Sequence, residues 1–307
     1  MDVSIRTQKI REKALDLGFS LVGFVQAEPL TYEKIRLQNW LDKGYHGEMT
    51  YMENYFDKRT DPTLLVPGCK SIIVLAYNYH NPQKQIDPTA PKISQYAYGK
   101  DYHYVVKDKL KILEQYIHTE IHPIEARVFV DSAPVMEREW AKKAGIGWMG
   151  KNTLIINPKK GSYFFLGEIL LNIDLEYDQA IGDYCGTCTR CIDACPTDAI
   201  QEQGYEMDGS RCISYATIEL KGEIPKLFEG KMENWAFGCD ICQDVCPWNR
   251  FAQAHGEQAF LPSEEVLNMT QEDWNELTET EFNKLFKKSP LKRTKFKGIK
   301  RNLEFLK

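Results

Sequence analysis

The chain has 307 residues, 43% apolar and 27% charged, which is enough for two domains with ordinary cores and carries no disorder signature. A formal net charge of −5 argues against a globally basic nucleic-acid binder while leaving room for a local basic patch. The N-terminal MDVSIRTQKIREKALDLGF lacks the apolar centre of a signal peptide and no apolar run approaches the ~18 residues of a membrane span, so a soluble cytoplasmic protein is expected.

Residues 5–17 carry Ile5, Ile10, Ala14, Leu15 and Leu17, an approximate helical stripe that stops at Gly18. FSLVGFVQA reads as a strand, YEKIRLQNWLDKG as a helix, and EMTYMENYFDKRTDPTLLVPG as a helix running into a proline-rich turn. KSIIVLAYNY has the apolar run of a buried strand. A tyrosine-rich segment turns helical from about Val105. ARVFVD reads as a strand ending at Asp131, and SAPVMEREWAKKAG as the helix after it. KNTLIINPKKGSYFFLGEILLN has two apolar runs around NPKKGS, the pattern of a hairpin. After the cysteines the chain is helical and polar, TQEDWNELTETEFNKLF. It closes on a basic stretch with eight Lys or Arg and no acid between Lys287 and Arg301.

Eight of the nine cysteines lie between Cys185 and Cys246. The run Cys185, Cys188, Cys191, Cys195 and Pro196 has the spacing of a bacterial two-cluster ferredoxin, in which three thiolates hold one cubane and the fourth crosses to the other. The second run, Cys239, Cys242, Cys246 and Pro247, is one ligand short, and Cys212 is the candidate to supply it. The spacing suggests that Cys185, Cys188, Cys191 and Cys246 hold one [4Fe-4S] cluster, and Cys195, Cys212, Cys239 and Cys242 the second. Zinc uses two well-separated pairs and leaves a four-cysteine run ending in proline unexplained. Disulfides suit small secreted chains, whereas clusters fit a reducing compartment.

Other patterns carry less. Gly145, Gly147 and Gly150 satisfy G-x-G-x-x-G, but they follow a helix and lead into a strand, the reverse of a dinucleotide site. Asp101-Tyr102-His103 begins like the D-x-H-x-x-G of proteins that ligate cobalt through histidine. Val106 stands where the glycine belongs, so His103 is not read as a cobalt ligand. Cys69 reads as a buried inert thiol. His46, His80, His118, His122 and His255 lack metal-ligand spacing, and Trp235 and Trp248 read as packing around the cysteines.

The segment Val130–Arg138 (VDSAPVMER), GWMGKNTLIINPKKGSYFFLGEI, RCISYATIE around Cys212, and CDICQDVCPWN occur in one order, and together they resemble epoxyqueuosine reductase. The resemblance covers most of the chain. It implies an α+β fold: a nitroreductase-like cobalamin-binding domain over 1–178, a ferredoxin-like domain with two [4Fe-4S] clusters over 179–255, and a helical, basic segment over 256–307. It also implies the last step of queuosine biosynthesis, reduction of epoxyqueuosine in a tRNA anticodon loop. The implied cofactors are two clusters and base-off cobalamin without a histidine ligand, fed by an unidentified electron donor.

Removing an epoxide oxygen takes two electrons and two protons, so a strongly reducing centre and a general acid are both required. The family motif makes Asp131 the proton donor, with a pKa that burial over the corrin would have to raise. His103 is a possible assistant. Arg59, Arg138, Lys151, Asn152, Ser214, Cys239 and Asp240 fall in segments the family places beside cobalamin. For tRNA, whose loops present unstacked bases between phosphates, the basic segment from Lys287 to Arg301, with Lys292, Arg293 and Lys295, together with Lys221 and Lys226 is the expected contact patch. Several relatives carry a further C-terminal helical-repeat segment that packs on tRNA; here the helical stretch and the basic stretch up to Lys307 are expected to make that contact. Two other readings are a reductive dehalogenase-like enzyme and a ferredoxin-type electron carrier. Relatives of the first kind usually carry an export signal, and a carrier needs no proton donor.

Overall fold

SIIVLAYN and FFLGEILL are apolar on both faces, and such strands belong in the middle of a sheet covered on two sides. The computed structural model, which describes residues 1–307, places them there. Four strands, β1 (Leu21–Gln26), β2 (Ser71–Asn78), β3 (Ala126–Phe129) and β4 (Phe164–Leu171), form an antiparallel sheet in the order β1-β2-β4-β3. Helices α1 (Val3–Asp16) and α3 (Tyr102–Tyr116) cover one face, packing Ile10, Ala14, Val106 and Leu110 on Phe24, Ile73 and Ile169. On the other face α4 (Glu137–Lys143) packs Trp140 and Ala141 on Ile72, Val74 and Leu170. Trp140 is 1% exposed, and cutting it to alanine would cost about 3–5 kcal/mol.

Three expectations are corrected. First, the apolar runs around NPKKGS do not pair with each other. Ile155–Ile156 pairs with Trp148–Met149, and β4 instead joins β2 and β3. A strand buried on both faces gains more between two neighbours than at the end of a short hairpin. This also accounts for the glycine pattern: a Cβ at Gly147 would lie 2.4 Å from the Ile156 carbonyl oxygen, so the G-x-G-x-x-G serves close strand approach. Second, the helix after Asp131 begins only at Glu137, because residues 131–136 form a turn. Third, EMTYMENYFDKRTDPTLLVPG forms three short turns of helix, Thr50–Met52, Phe56–Thr60 and Pro62–Leu64, broken at Tyr55, whose φ is +55°, and at Pro62.

A further core joins distant parts of the chain. Ala90, Ile93 and Ala97 pack with Phe237 and with Trp274, Phe282 and Leu303 of the C-terminal helices. The basic C-terminal stretch is folded. Helix α2 (Thr31–Asp42) follows β1, and in the last helix, α5 (Lys295–Phe305), Ile299 and Leu303 are buried. Asn302 donates to the carbonyls of Thr217 and Ala236, and Arg301 to those of Ala216, Leu220 and Gly222. These bonds clamp the helix to the cysteine-bearing region. No helix is long and apolar enough to cross a membrane.

Candidate active site and cysteine sets

Asp131 follows edge strand β3 with φ +51°, a left-handed conformation uncommon for a residue with a side chain. Its N–H donates to Glu137 Oε1 at 2.5 Å, and its carboxylate Oδ2 accepts from the Tyr102 hydroxyl. Tyr102 is fixed from both sides, stacked on Phe165 of β4 at 4.1 Å and on His103 at 4.2 Å. Burial and then the Asp131 charge hold the Tyr102 phenol well above its ordinary pKa, so it stays a donor.

His103 lies at the start of α3, where Asp101 caps the helix by accepting the His103 N–H. The same Asp101 oxygen lies 2.7 Å from His103 Nδ1, and His103 Nε2 lies 3.6 Å from Asp131 Oδ2. Burial of the ring lowers its basicity, but the Asp101 bond and the charges of Asp131 and Glu137 outweigh this and raise the pKa. Asp131 itself has a side chain 59% exposed, so the protein alone does not bury it. Tyr51, Tyr96 and Arg293 lie within electrostatic reach of Asp131, and Arg293 pairs with Glu219 at 2.9 Å. The C-terminal basic segment therefore shares a surface with Asp131.

The cysteines assemble into two sets. Cys191 and Cys246 each face Cys185 and Cys188, and Cys191 faces Cys246. Cys239 and Cys242 each face Cys195 and Cys212. Cys242 also lies within reach of Cys191, so the sets adjoin. Burial raises the thiol pKa values of Cys191, Cys212, Cys239, Cys242 and Cys246; for Cys191 burial and then repulsion from Cys185 raise it to about 11. Backbone N–H groups aim at the sulfurs: Ser214 and Tyr215 at Cys212, Ile241 at Cys239, and Trp248 and Asn249 at Cys246. The Trp148 indole donates to Cys185 Sγ at 3.4 Å. No three side chains among His, Cys, Asp and Glu close on a single ion.

The residues expected beside a corrin fall into two groups. Lys151 donates to the carbonyls of Gly186 and Cys188, and Asn152, 1% exposed, donates to that of Cys242. Ser214 and Asp240 adjoin cysteines of the second set. The Asp240 carboxylate is buried and turned to the Ser94 hydroxyl and the Gln95 N–H, and burial pushes its pKa up to about 7. These four side chains or their segments tie the cysteine loops to the rest of the fold. Arg138 is exposed and donates to the Thr153 carbonyl. Arg59 is 9% exposed; it donates to the Tyr51 carbonyl, yet its Nε has no partner. Of the basic residues, Lys221 and Lys295 are exposed, while Lys292 bonds Asn283. Cys69 is buried, and its pKa is raised to about 11 by that burial. An open cavity of about 800 Å³ borders the first cysteine set, lined by His80, Tyr163, Arg190 and Cys246 among others.

Sequence reasoning passed over Tyr102, Glu137 and Glu168. Tyr102 directly precedes His103, and Glu168 is the one charge in the apolar strand FFLGEILL; both signals were available.

A family model described as a 4Fe-4S double cluster binding domain matches residues 184–249, and one described as epoxyqueuosine reductase QueG matches residues 59–132. The chain is 56% identical to an epoxyqueuosine reductase from Leadbetterella byssophila, over 98% of both chains. It is similar to a crystal structure of epoxyqueuosine reductase with an epoxyqueuosine-modified tRNA-Tyr stem loop (TM-score 0.88, 33% identity, 99% of this chain and 81% of that one). It is equally similar to the Bacillus subtilis enzyme, whose structure has its aspartate-bearing catalytic loop swung out of the active site (TM-score 0.88, 32% identity, 99% and 81%).

Proposed function

The chain belongs to the epoxyqueuosine reductase family, and from that premise we propose that it reduces epoxyqueuosine in the anticodon loop of tRNA to queuosine. The net reaction takes the epoxide, two electrons and two protons to an alkene and water. The observation that carries the reading is Asp131. It is an exposed carboxyl in a left-handed turn, gripped by Tyr102 and facing His103, on the surface shared with Arg293. We assign Asp131 as the acid that protonates the epoxide oxygen, with Tyr102 orienting its carboxyl. His103, whose pKa is raised between Asp101 and Asp131, would reload it with a proton. The Asp131 turn would be the counterpart of the loop found swung out in the Bacillus subtilis enzyme.

The two cysteine sets fit two cubanes. Each has four grouped thiols and N–H donors to sulfur. We assign Cys185, Cys188, Cys191 and Cys246 to one and Cys195, Cys212, Cys239 and Cys242 to the other, and an electron donor of unidentified kind would feed them. The orphaned Arg59 Nε near Tyr51 fits a polar or anionic edge of a corrin, together with the exposed Arg138. Bound cobalamin would supply a low-valent two-electron reductant at the substrate. Both His103 nitrogens face carboxylates, which agrees with a base-off form lacking a histidine ligand. Arg293, Lys221 and Lys295 would meet tRNA phosphates. The division into a nitroreductase-like domain, a double-cluster domain and a C-terminal helical segment, and a cytoplasmic location, complete the proposal.

The test is Asp131→Asn, assayed anaerobically on epoxyqueuosine-containing tRNA. Turnover should vanish while iron content and cobalamin binding stay at wild-type levels. Retained turnover would remove Asp131 as the acid.

A further inference from the structure

The glycines of the G-x-G-x-x-G pattern are points of close approach on either side of one tryptophan. A Cβ at Gly145, whose φ is +71°, would stand 2.5 Å from the Gln179 carbonyl oxygen, and one at Gly150 would stand 2.4 Å from Ile156 Cδ1. With Gly147 they pin the short strand Trp148–Met149 against Ile155–Ile156 and against the segment that leads to Cys185. Trp148 is 2% exposed, and its indole N–H donates to Cys185 Sγ at 3.4 Å. Trp248 at 5.1 Å and Tyr184 at 5.2 Å hold the ring, both at steep angles to it. Cys185 is fixed from its own side, since its N–H donates to Asp183 Oδ1 at 2.7 Å. Of the eight grouped sulfurs, this one alone receives a side-chain N–H; Cys195 has only the Thr197 hydroxyl, at 3.8 Å.

The two cysteine sets lead in different directions. Beside the first, Tyr184 is 54% exposed, and Phe251, 6.1 Å from Trp248, is 38% exposed, so this set adjoins the surface. The second leads inward. Asp240, next to Cys239, accepts from Ser94 and Gln95, and the following Tyr96 packs on Tyr102, whose hydroxyl holds Asp131.

We propose that Trp148 sets the reduction potential of the outer cubane, raising it through the N–H bond to Cys185 and so fitting that cluster to take electrons from the donor. The inference rests on the proposed assignment of Cys185, Cys188, Cys191 and Cys246 to one [4Fe-4S] cluster. A one-electron donor passes one electron to that cluster, and no proton is taken up. The reduced cluster carries one more negative charge, part of it on the thiolate sulfurs, and an N–H binds that form more strongly. The bond therefore favours reduction, and its loss disfavours it. Trp148 is a positioning residue that acts through Cys185.

Anaerobic redox titration of the full chain carrying both clusters, read by electron paramagnetic resonance, measures each potential. The outer cubane's signal is the one lost in Cys246→Ser. Trp148→Phe keeps an aromatic ring between Trp248 and Tyr184 and removes the N–H. One hydrogen bond to a charged group is worth about tenfold in an equilibrium. The outer potential should therefore fall by about 59 mV, the one-electron equivalent of that factor, while the inner one holds within twofold. Trp248→Phe thins the same aromatic wall without touching the bond and should leave both equilibria within twofold. An outer potential unchanged or raised in Trp148→Phe would overturn the proposal. An equal fall in Trp248→Phe would also overturn it, by tracing the effect to packing. Should Trp148→Phe fail to load its clusters, pulsed resonance of protein carrying nitrogen-15 in its indoles decides. Coupling in the outer signal that survives in Trp248→Phe supports the proposal, and no coupling refutes it. Wild-type iron well below roughly eight per chain would sink the cluster reading and the proposal with it; two intact clusters with unmoved potentials would sink the proposal alone.

Discussion

Removing the hydroxyl of Tyr102 isolates what the grip on Asp131 contributes. Tyr102→Phe leaves the ring stacked between Phe165 and His103, at 4.1 and 4.2 Å, so the fold loses no packing. One hydrogen bond to the Asp131 carboxyl disappears, worth about 0.5–1.5 kcal/mol in general. Asp131 is 59% exposed, and water can replace the lost donor, so about 1 kcal/mol is the most to expect. About 1 kcal/mol corresponds to roughly a fivefold fall in turnover, since the freed carboxyl samples orientations away from the epoxide. The assay is single-turnover reduction of epoxyqueuosine tRNA at saturating tRNA. Iron content and denaturation midpoint serve as controls and should not move. Turnover within twofold of wild type would refute the view that Tyr102 orients the acid.

Cys246→Ser and Cys212→Ser should each lose one cubane and keep the other, lowering iron from roughly eight to four per chain with two distinct paramagnetic signatures; loss of the same signature in both would break the assignment into two sets. Arg293→Ala should weaken tRNA binding and reduce the salt slope of log K by about one, measured by filter binding. For the buried acids the sign is set by the raised pKa. Between 4.5 and about 8 the folded chain keeps a proton on Glu137 that the unfolded chain has released, so stability falls as pH rises through that window. Glu168 is raised as well, so Glu137→Gln should lessen this fall without abolishing it in anaerobic urea titrations.

The cysteine sets were legible because their information is local. Each C-x2-C turn brings its own thiols together, and only Cys212 and the crossing of Cys195 and Cys246 need the tertiary fold. The two central strands were legible from apolar runs, but their partners were not. β4 was assigned to a hairpin because the turn NPKKGS lies beside it, whereas its burial on two faces demanded β2 and β3. Helix α3 starts at Tyr102, before the periodic residues near Val105, because Asp101 caps it there, and this capping also sets Tyr102 and His103 beside Asp131. Of the α1 stripe, Ile10 and Ala14 are buried, while Ile5 and Leu15 are exposed; an approximate period does not fix which edge of the stripe faces the sheet. Glu168 escaped notice because a single acid within a strand has no spacing to read.

Anaerobic turnover of epoxyqueuosine-containing tRNA, with and without added cobalamin and followed by nucleoside mass analysis, tests the central claim most directly. The account predicts loss of one oxygen, as epoxyqueuosine becomes queuosine, only when cobalamin and reduced clusters are both present. Unchanged nucleoside from protein that holds both clusters and cobalamin would contradict it.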